Sequence, residues 1–173
     1  MLRLLVEAAR IYPPKPEPGF LPRTVRWAIV FPRSCDGVAV FALGGPQESG
    51  PSGQTFPRCP DPRVQVPGIA YTAFLVDTAE VVALFGEGAG TSRNGERHRY
   101  FVKLLRVASG AMSSLARIAD CLDNPELMEI LQERLTQQGA EPEDLVTVSL
   151  GDPLPLTCDD WHDWWRSFCE SER

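Results

Sequence analysis

The chain has 173 residues, 43% of them hydrophobic, and its 17 basic and 23 acidic side chains leave a net charge of −6. That size and apolar fraction fit one compact domain with a real core, which argues against a disordered chain, and no apolar run approaches bilayer-spanning length. The charge is uneven: residues 1–63 carry eight Lys/Arg against five Asp/Glu, residues 64–173 nine against eighteen. Contact with a polyanion depends on the local cation cluster, so an acidic total does not exclude nucleic acid.

In chain order, the apolar spacing of residues 2–11 predicts a short helix, stopped by Pro13-Pro14. Arg3, Glu7 and Arg10 interrupt it and no cleavage pattern follows, so it does not read as a signal peptide. Residues 24–31 and 38–43 are strand-like runs, and 32–37 is the hairpin loop that makes them antiparallel neighbours. The Gly/Pro-rich stretch 44–63 has no periodicity and reads as a long surface loop. Residues 69–76 fit either a strand or the start of a helix, and 86–95 reads as a flexible connector. Residues 96–108 form a basic amphipathic helix and 112–122 a second helix. Asn124 caps a third, with Pro125 in its first turn and Gly139 at its end. Residues 145–150 form a strand. Thr157 is expected to cap a last helix bearing Trp161, Trp164, Trp165 and Phe168. The fold class expected is α+β, a small antiparallel sheet packed against three or four helices.

Five scattered cysteines, Cys35, Cys59, Cys121, Cys158 and Cys169, lack a C-x-x-C spacing and read as reduced thiols of a cytoplasmic protein, without redox chemistry or a zinc site. No catalytic constellation, metal cluster or cofactor motif is evident. His98 reads as a solvated histidine among arginines. His162 sits beside Asp159, Asp160 and Asp163, where acidic residues suit a first helical turn. Asp77 and Glu80, three apart, or the Asp159 to Asp163 cluster, are the basis of one alternative, a metal-dependent nuclease. A second alternative is an acidic protein-binding module or inhibitor of a nucleic-acid-binding complex. In the loop, Gln47, Gln54 and Thr55 offer groups suited to base edges, while Arg58 and Arg63 suit phosphate.

The order of these features carries a resemblance. GQTFPR at residues 53–58, VP at 66–67, FLVDTAEVVAL at 74–84, RHRYFVKLL at 97–105 and LVTVSLGDPLPLTCDDWHDWW at 145–165 follow the opening helix and the Trp27 strand. This order resembles the N-terminal part of the large subunit of type I-C CRISPR surveillance (Cascade) complexes. That family shows G-[KQ]-x-x-P-R, L-V-D-x-A-x-x-x-L and R-H-x-x-F in sequence; Thr78 departs from its usual Asn. The resemblance implies an N-terminal domain of a longer subunit, or a reduced variant of it.

It further implies a non-enzymatic role: recognition of the protospacer-adjacent motif in double-stranded target DNA, help in opening the duplex, and recruitment of a separate helicase-nuclease. The partners would be other CRISPR complex subunits with their guide RNA, and no membrane. Gln54 and Thr55 would meet bases, with Gln47 a further reader. Arg58 and Arg63 would clamp phosphates, assisted by Lys15, Arg23 and Arg26. Arg93, Arg97, Arg99 and Lys103 would extend the basic track or meet a neighbouring subunit. The acidic residues from Asp120 onward would face away from DNA.

Overall fold

The run 24–31 is broken at Arg26 in the computed structural model, which describes residues 15, 17–44, 53–63 and 74–172. Strand β1 (Phe20–Val25) ends there and β2 (Trp27–Phe31) begins, each belonging to a different sheet. β1 pairs antiparallel with β4 (Gln54–Pro60) in a two-stranded ribbon. β2 joins β3 (Ala39–Ala42), β5 (Val76–Thr78) and β6 (Leu145–Leu150) in a four-stranded sheet of order β3-β2-β6-β5. The expected β2–β3 hairpin is present, Trp27 opposite Ala42 and Val30 opposite Ala39. The sheet is mixed, however, because β2 and β6 run parallel with Trp27 beside Val146. A parallel pair needs a long crossover, and the helices of the back half supply it.

Five α-helices occur among the described residues: α1 (Ala79–Val82), α2 (Ser92–Ala108), α3 (Ser114–Leu122), α4 (Pro125–Gln138) and α5 (His162–Ser171). The α+β class is thus as expected. Alternation turns Trp27, Ile29 and Phe31 to one face of the sheet, joined there by Val146, Val148 and Leu150. α3 packs on β6 and α4 on β3, while α2 packs on α1 and α3. The buried residues of α2, from His98 through Phe101, Leu104, Leu105 and Ala108, recur at helical spacing and complete this core. The ribbon packs through β1 against β6, and through β4 against the 3-10 turn Pro155–Thr157. An aromatic cluster closes that side: Phe74 stacks on Trp165 at 5.6 Å and meets Trp161 edge-on, and Trp165 Nε1 donates to Gly19 O at 2.6 Å.

Several local expectations need correction. The stretch 44–63 is not all loop, since residues 54–60 form β4. Its prolines disguised it. Leu21 opposes Cys59 but Arg23 opposes Phe56, so Pro57 and Arg58 together face Pro22 at a bulge, where missing amide donors cost little. The connector 86–95 contains a 3-10 turn at Glu87–Gly90, and α2 begins at Ser92 because the Thr91 side chain accepts from Asn94 N. Thr157 does not cap α5: its hydroxyl donates back to Leu154 O at 2.7 Å and closes the preceding turn. α4 follows its expected signals, with Asn124 Oδ1 accepting from Glu126 N and Leu127 N, and Gly139 in the left-handed region at φ 73°. The expected opening helix lies outside the described residues.

Asp144 fixes the junction at Arg26. Its Oδ1 accepts from Arg26 Nη1 at 2.9 Å, and its Oδ2 accepts from Trp27 Nε1 and from Glu141 N, each at 2.9 Å. Arg26 N donates to Leu145 O while Arg26 O accepts from Leu43 N. Replacing Asp144 by Ala leaves the buried indole N–H and the guanidinium without their acceptor. The expected loss is about 3 kcal/mol in urea unfolding, and Asp144→Asn, which keeps one acceptor, loses about half as much.

Candidate nucleic-acid interface

The ribbon presents one face outward. Thr24 and Thr55 lie opposite each other on it, both exposed, with their hydroxyls 2.9 Å apart. Side chains alternate along a strand, so Gln54, opposite Val25, belongs to the other side. It remains exposed because it starts the strand. Gln54 and Thr55 therefore point to opposite faces, and of the two only Thr55 shares a face with Thr24. Gln47 lies outside the described residues, but the two ends of its segment meet: a Cβ on Gly44 would come within 2.3 Å of Gly53 O. Both glycines have φ near 80° (79° and 82°), so the neck that starts β4 needs glycine on each side.

The candidate cations divide into two groups. Arg58 is partly exposed but engaged, since it hydrogen-bonds Glu17 and lies 5.4 Å over the Phe20 ring. Arg166 takes the other Glu17 oxygen at 2.8 Å and also lies 5.4 Å over Phe20. Hydrogen bonds from Arg58 and then Arg166 hold the Glu17 carboxyl below its usual range. Arg63, an exposed side chain, forks onto Asp61 with contacts of 2.7 to 3.2 Å. Arg23 is turned inward, where burial lowers its pKa and Nη1 reaches Val76 O at 3.4 Å. Arg26 serves the Asp144 junction. Arg97 reaches the buried Asp77 at 3.3 Å, so both serve the packing of α2 on β5. These placements correct the expectation that Arg23, Arg26 and Arg97 are offered to phosphate.

Lys15, Arg93, Arg99 and Lys103 are exposed. Arg99 and Lys103, four apart, share one stripe of α2, with Lys103 5.9 Å over the Tyr100 ring. Arg106 continues the stripe but is neutralised by Asp120 and Asp123, both at 2.5 Å.

Both histidines are buried. His98 is no solvated face residue: its Nδ1 lies 2.9 Å from Val81 O. His162 packs edge-on against Phe20 and Trp161, and burial, with Arg58 adding to it, lowers its pKa. Among the described residues no three His, Cys, Asp or Glu side chains are grouped to hold a metal ion, and no helix is long and apolar enough to cross a membrane. Thr24, Glu17 and Arg166 are site residues that sequence reasoning missed. Thr24 was legible only once β4 was recognised, and Glu17 and Arg166 are joined through contacts between distant parts of the chain.

No family model matches the chain, and no curated protein is found to match it.

The partition of cations predicts an asymmetric mutational response. Arg97→Ala leaves the Asp77 carboxylate buried without its guanidinium and costs about 3 kcal/mol in denaturant unfolding, whereas Arg99→Ala changes stability by less than about 0.5 kcal/mol. Equal losses at the two positions would show that the division into structural and free cations is mistaken.

Proposed function

We propose that the chain recognises the protospacer-adjacent motif in target duplex DNA and assists its local opening, as the large-subunit part of a type I CRISPR RNA-guided complex. The observation that carries this reading is the outward face of the β1–β4 ribbon, where Thr24 and Thr55 stand paired and solvated, with Arg58 farther along the same strand as Thr55. A two-stranded ribbon is one of the elements that enter a DNA groove, and hydroxyl groups suit the acceptor-rich minor-groove edge. The glycine neck at Gly44 and Gly53 brings the two ends of the intervening segment together at the start of β4, next to this face. Arg58 and Arg166 supply charge at the ribbon's flank, and Lys15, Arg93, Arg99 and Lys103 are further candidates for phosphate or for a neighbouring subunit. The order of sequence motifs supports the assignment to this family; guide RNA pairing would supply the remaining specificity, and a separate helicase-nuclease the cleavage. The exposed Glu126, Glu129 and Glu133 of α4 would face away from the DNA.

The nuclease reading gains no support from the packing. Asp77 is buried, holds Arg97 and accepts from Thr78 N at 2.7 Å, so it is committed to the fold.

Glu17 makes the proposal sharply testable, because it competes with phosphate for Arg58 and Arg166. In a guide-RNA complex reconstituted with this chain, Thr55→Ala should flatten discrimination among motif sequences by about tenfold. Arg58→Ala should weaken all sequences alike and reduce the salt slope by about 0.9. Glu17→Gln should tighten binding to all sequences. Unchanged affinity, discrimination and salt slope in all three variants, each folded by circular dichroism, would remove the ribbon from the DNA interface.

A further inference from the structure

Cys35 and Cys121 are far apart in sequence, yet the fold brings their thiols together beside Arg117. Cys35 lies in the turn between β2 and β3, in the left-handed region at φ 55° that favours glycine, and it is half-buried against the core. Cys121 is buried on α3, 2% exposed. Arg117 stands one helical turn before Cys121, and its Nη2 reaches the Cys35 sulfur at 3.6 Å while also donating to Arg33 O. A reachable thiol thus has a cation on its sulfur and a second, inaccessible thiol behind it. That is the arrangement of a redox-sensitive cysteine with its resolving partner.

We propose that Cys35 is an oxidation site whose sulfenic acid is resolved by Cys121, giving a reversible disulfide that ties the β2–β3 turn to α3. With hydrogen peroxide as oxidant, the Cys35 thiolate attacks one peroxide oxygen, the O–O bond breaks and hydroxide leaves. Sulfur is oxidised by two electrons and the peroxide reduced by two. The Cys121 sulfur then attacks the sulfenic sulfur, the S–O bond breaks, and its thiol proton departs with the hydroxyl as water. Burial, and then the Cys35 contact, push the Cys121 thiol up to about 12, so Cys35 rather than Cys121 is the thiol that meets the peroxide.

The other thiols are placed differently. Cys59 and Cys169 are buried, and burial, then the neighbouring Asp160 and Asp159, raise the pKa of Cys158. Arg117 also lines a cleft of about 390 Å³ with Arg33, Ser113, Ser114 and Asp152, so a cross-link beside Arg117 would alter that surface.

Peptide mapping of the folded chain without reductant, after mild hydrogen peroxide and alkylation, tests the proposal. The expected product has lost the mass of two hydrogen atoms, yields one cross-linked peptide pair containing Cys35 and Cys121, and reverts with dithiothreitol. Cys35→Ser and Cys121→Ala each abolish that pair, and Cys121→Ala leaves Cys35 trapped as a dimedone adduct. A different disulfide pairing, or oxidation of Cys35 to sulfinic acid without a cross-link in the wild-type chain, would overturn it. The wild-type map decides the question even where a variant folds poorly.

Discussion

The three bonds from Arg26, Trp27 and Glu141 to the Asp144 carboxylate hold the point at which the chain changes sheets. On one side of Arg26 the backbone belongs to the ribbon, and on the other to the centre of the mixed sheet. The same residue gives its N–H to Leu145 and receives that of Leu43, so β3, β6 and the ribbon all meet there. Asp144 sits in the turn before β6 and sets where Trp27 stands beside Val146. A one-residue slip would turn the apolar residues of β2 to the wrong face. The ribbon's outward face therefore owes its placement to a carboxylate that touches neither Thr24 nor Thr55.

The same economy governs the arginines. A count of basic residues suggests a broad cationic surface, but among the described residues packing commits several of them. Arg97 pairs with the buried Asp77 and Arg26 with the half-buried Asp144, Arg63 is forked onto Asp61, and Arg58 shares Glu17 with Arg166. What remains is a narrower distribution: a flank in which Glu17 holds two guanidiniums, one of them also paired with Asp163, and a separate stripe on α2. An exposed ion pair contributes little to stability, and its cation can exchange partners at small cost. A buried pair cannot. Arg58 and Arg166 are therefore available to an incoming phosphate in a way that Arg97 is not.

Much of the architecture was legible because its signals are local. The β2–β3 hairpin, α4 with Asn124 and Gly139, and β6 follow from alternation, capping and left-handed glycine. Strand β4 was not legible, because Pro57 and Pro60 argue against a strand unless the bulge opposite Pro22 is known, and that bulge is a property of the pairing. Of the site, Thr55 and Arg58 were identified by residue type alone. Their partners Thr24, Glu17 and Arg166 come from distant positions. His98 and Arg97 were misjudged for a related reason: on a helix carrying Arg93, Arg97, Arg99 and Lys103, charge suggests solvent, whereas the fold turns His98 to Val81 O and Arg97 to Asp77.

The central claim is that the outward face of the β1–β4 ribbon meets the target duplex at its motif. A photo-crosslinking residue installed at position 55, in a guide-RNA complex assembled with this chain and target DNA, tests it most directly. The account predicts a cross-link to nucleotides of the motif, with little at a matching residue installed at position 129 on α4. Cross-links from position 55 only to protein subunits, or DNA cross-links from position 129 alone, would contradict it.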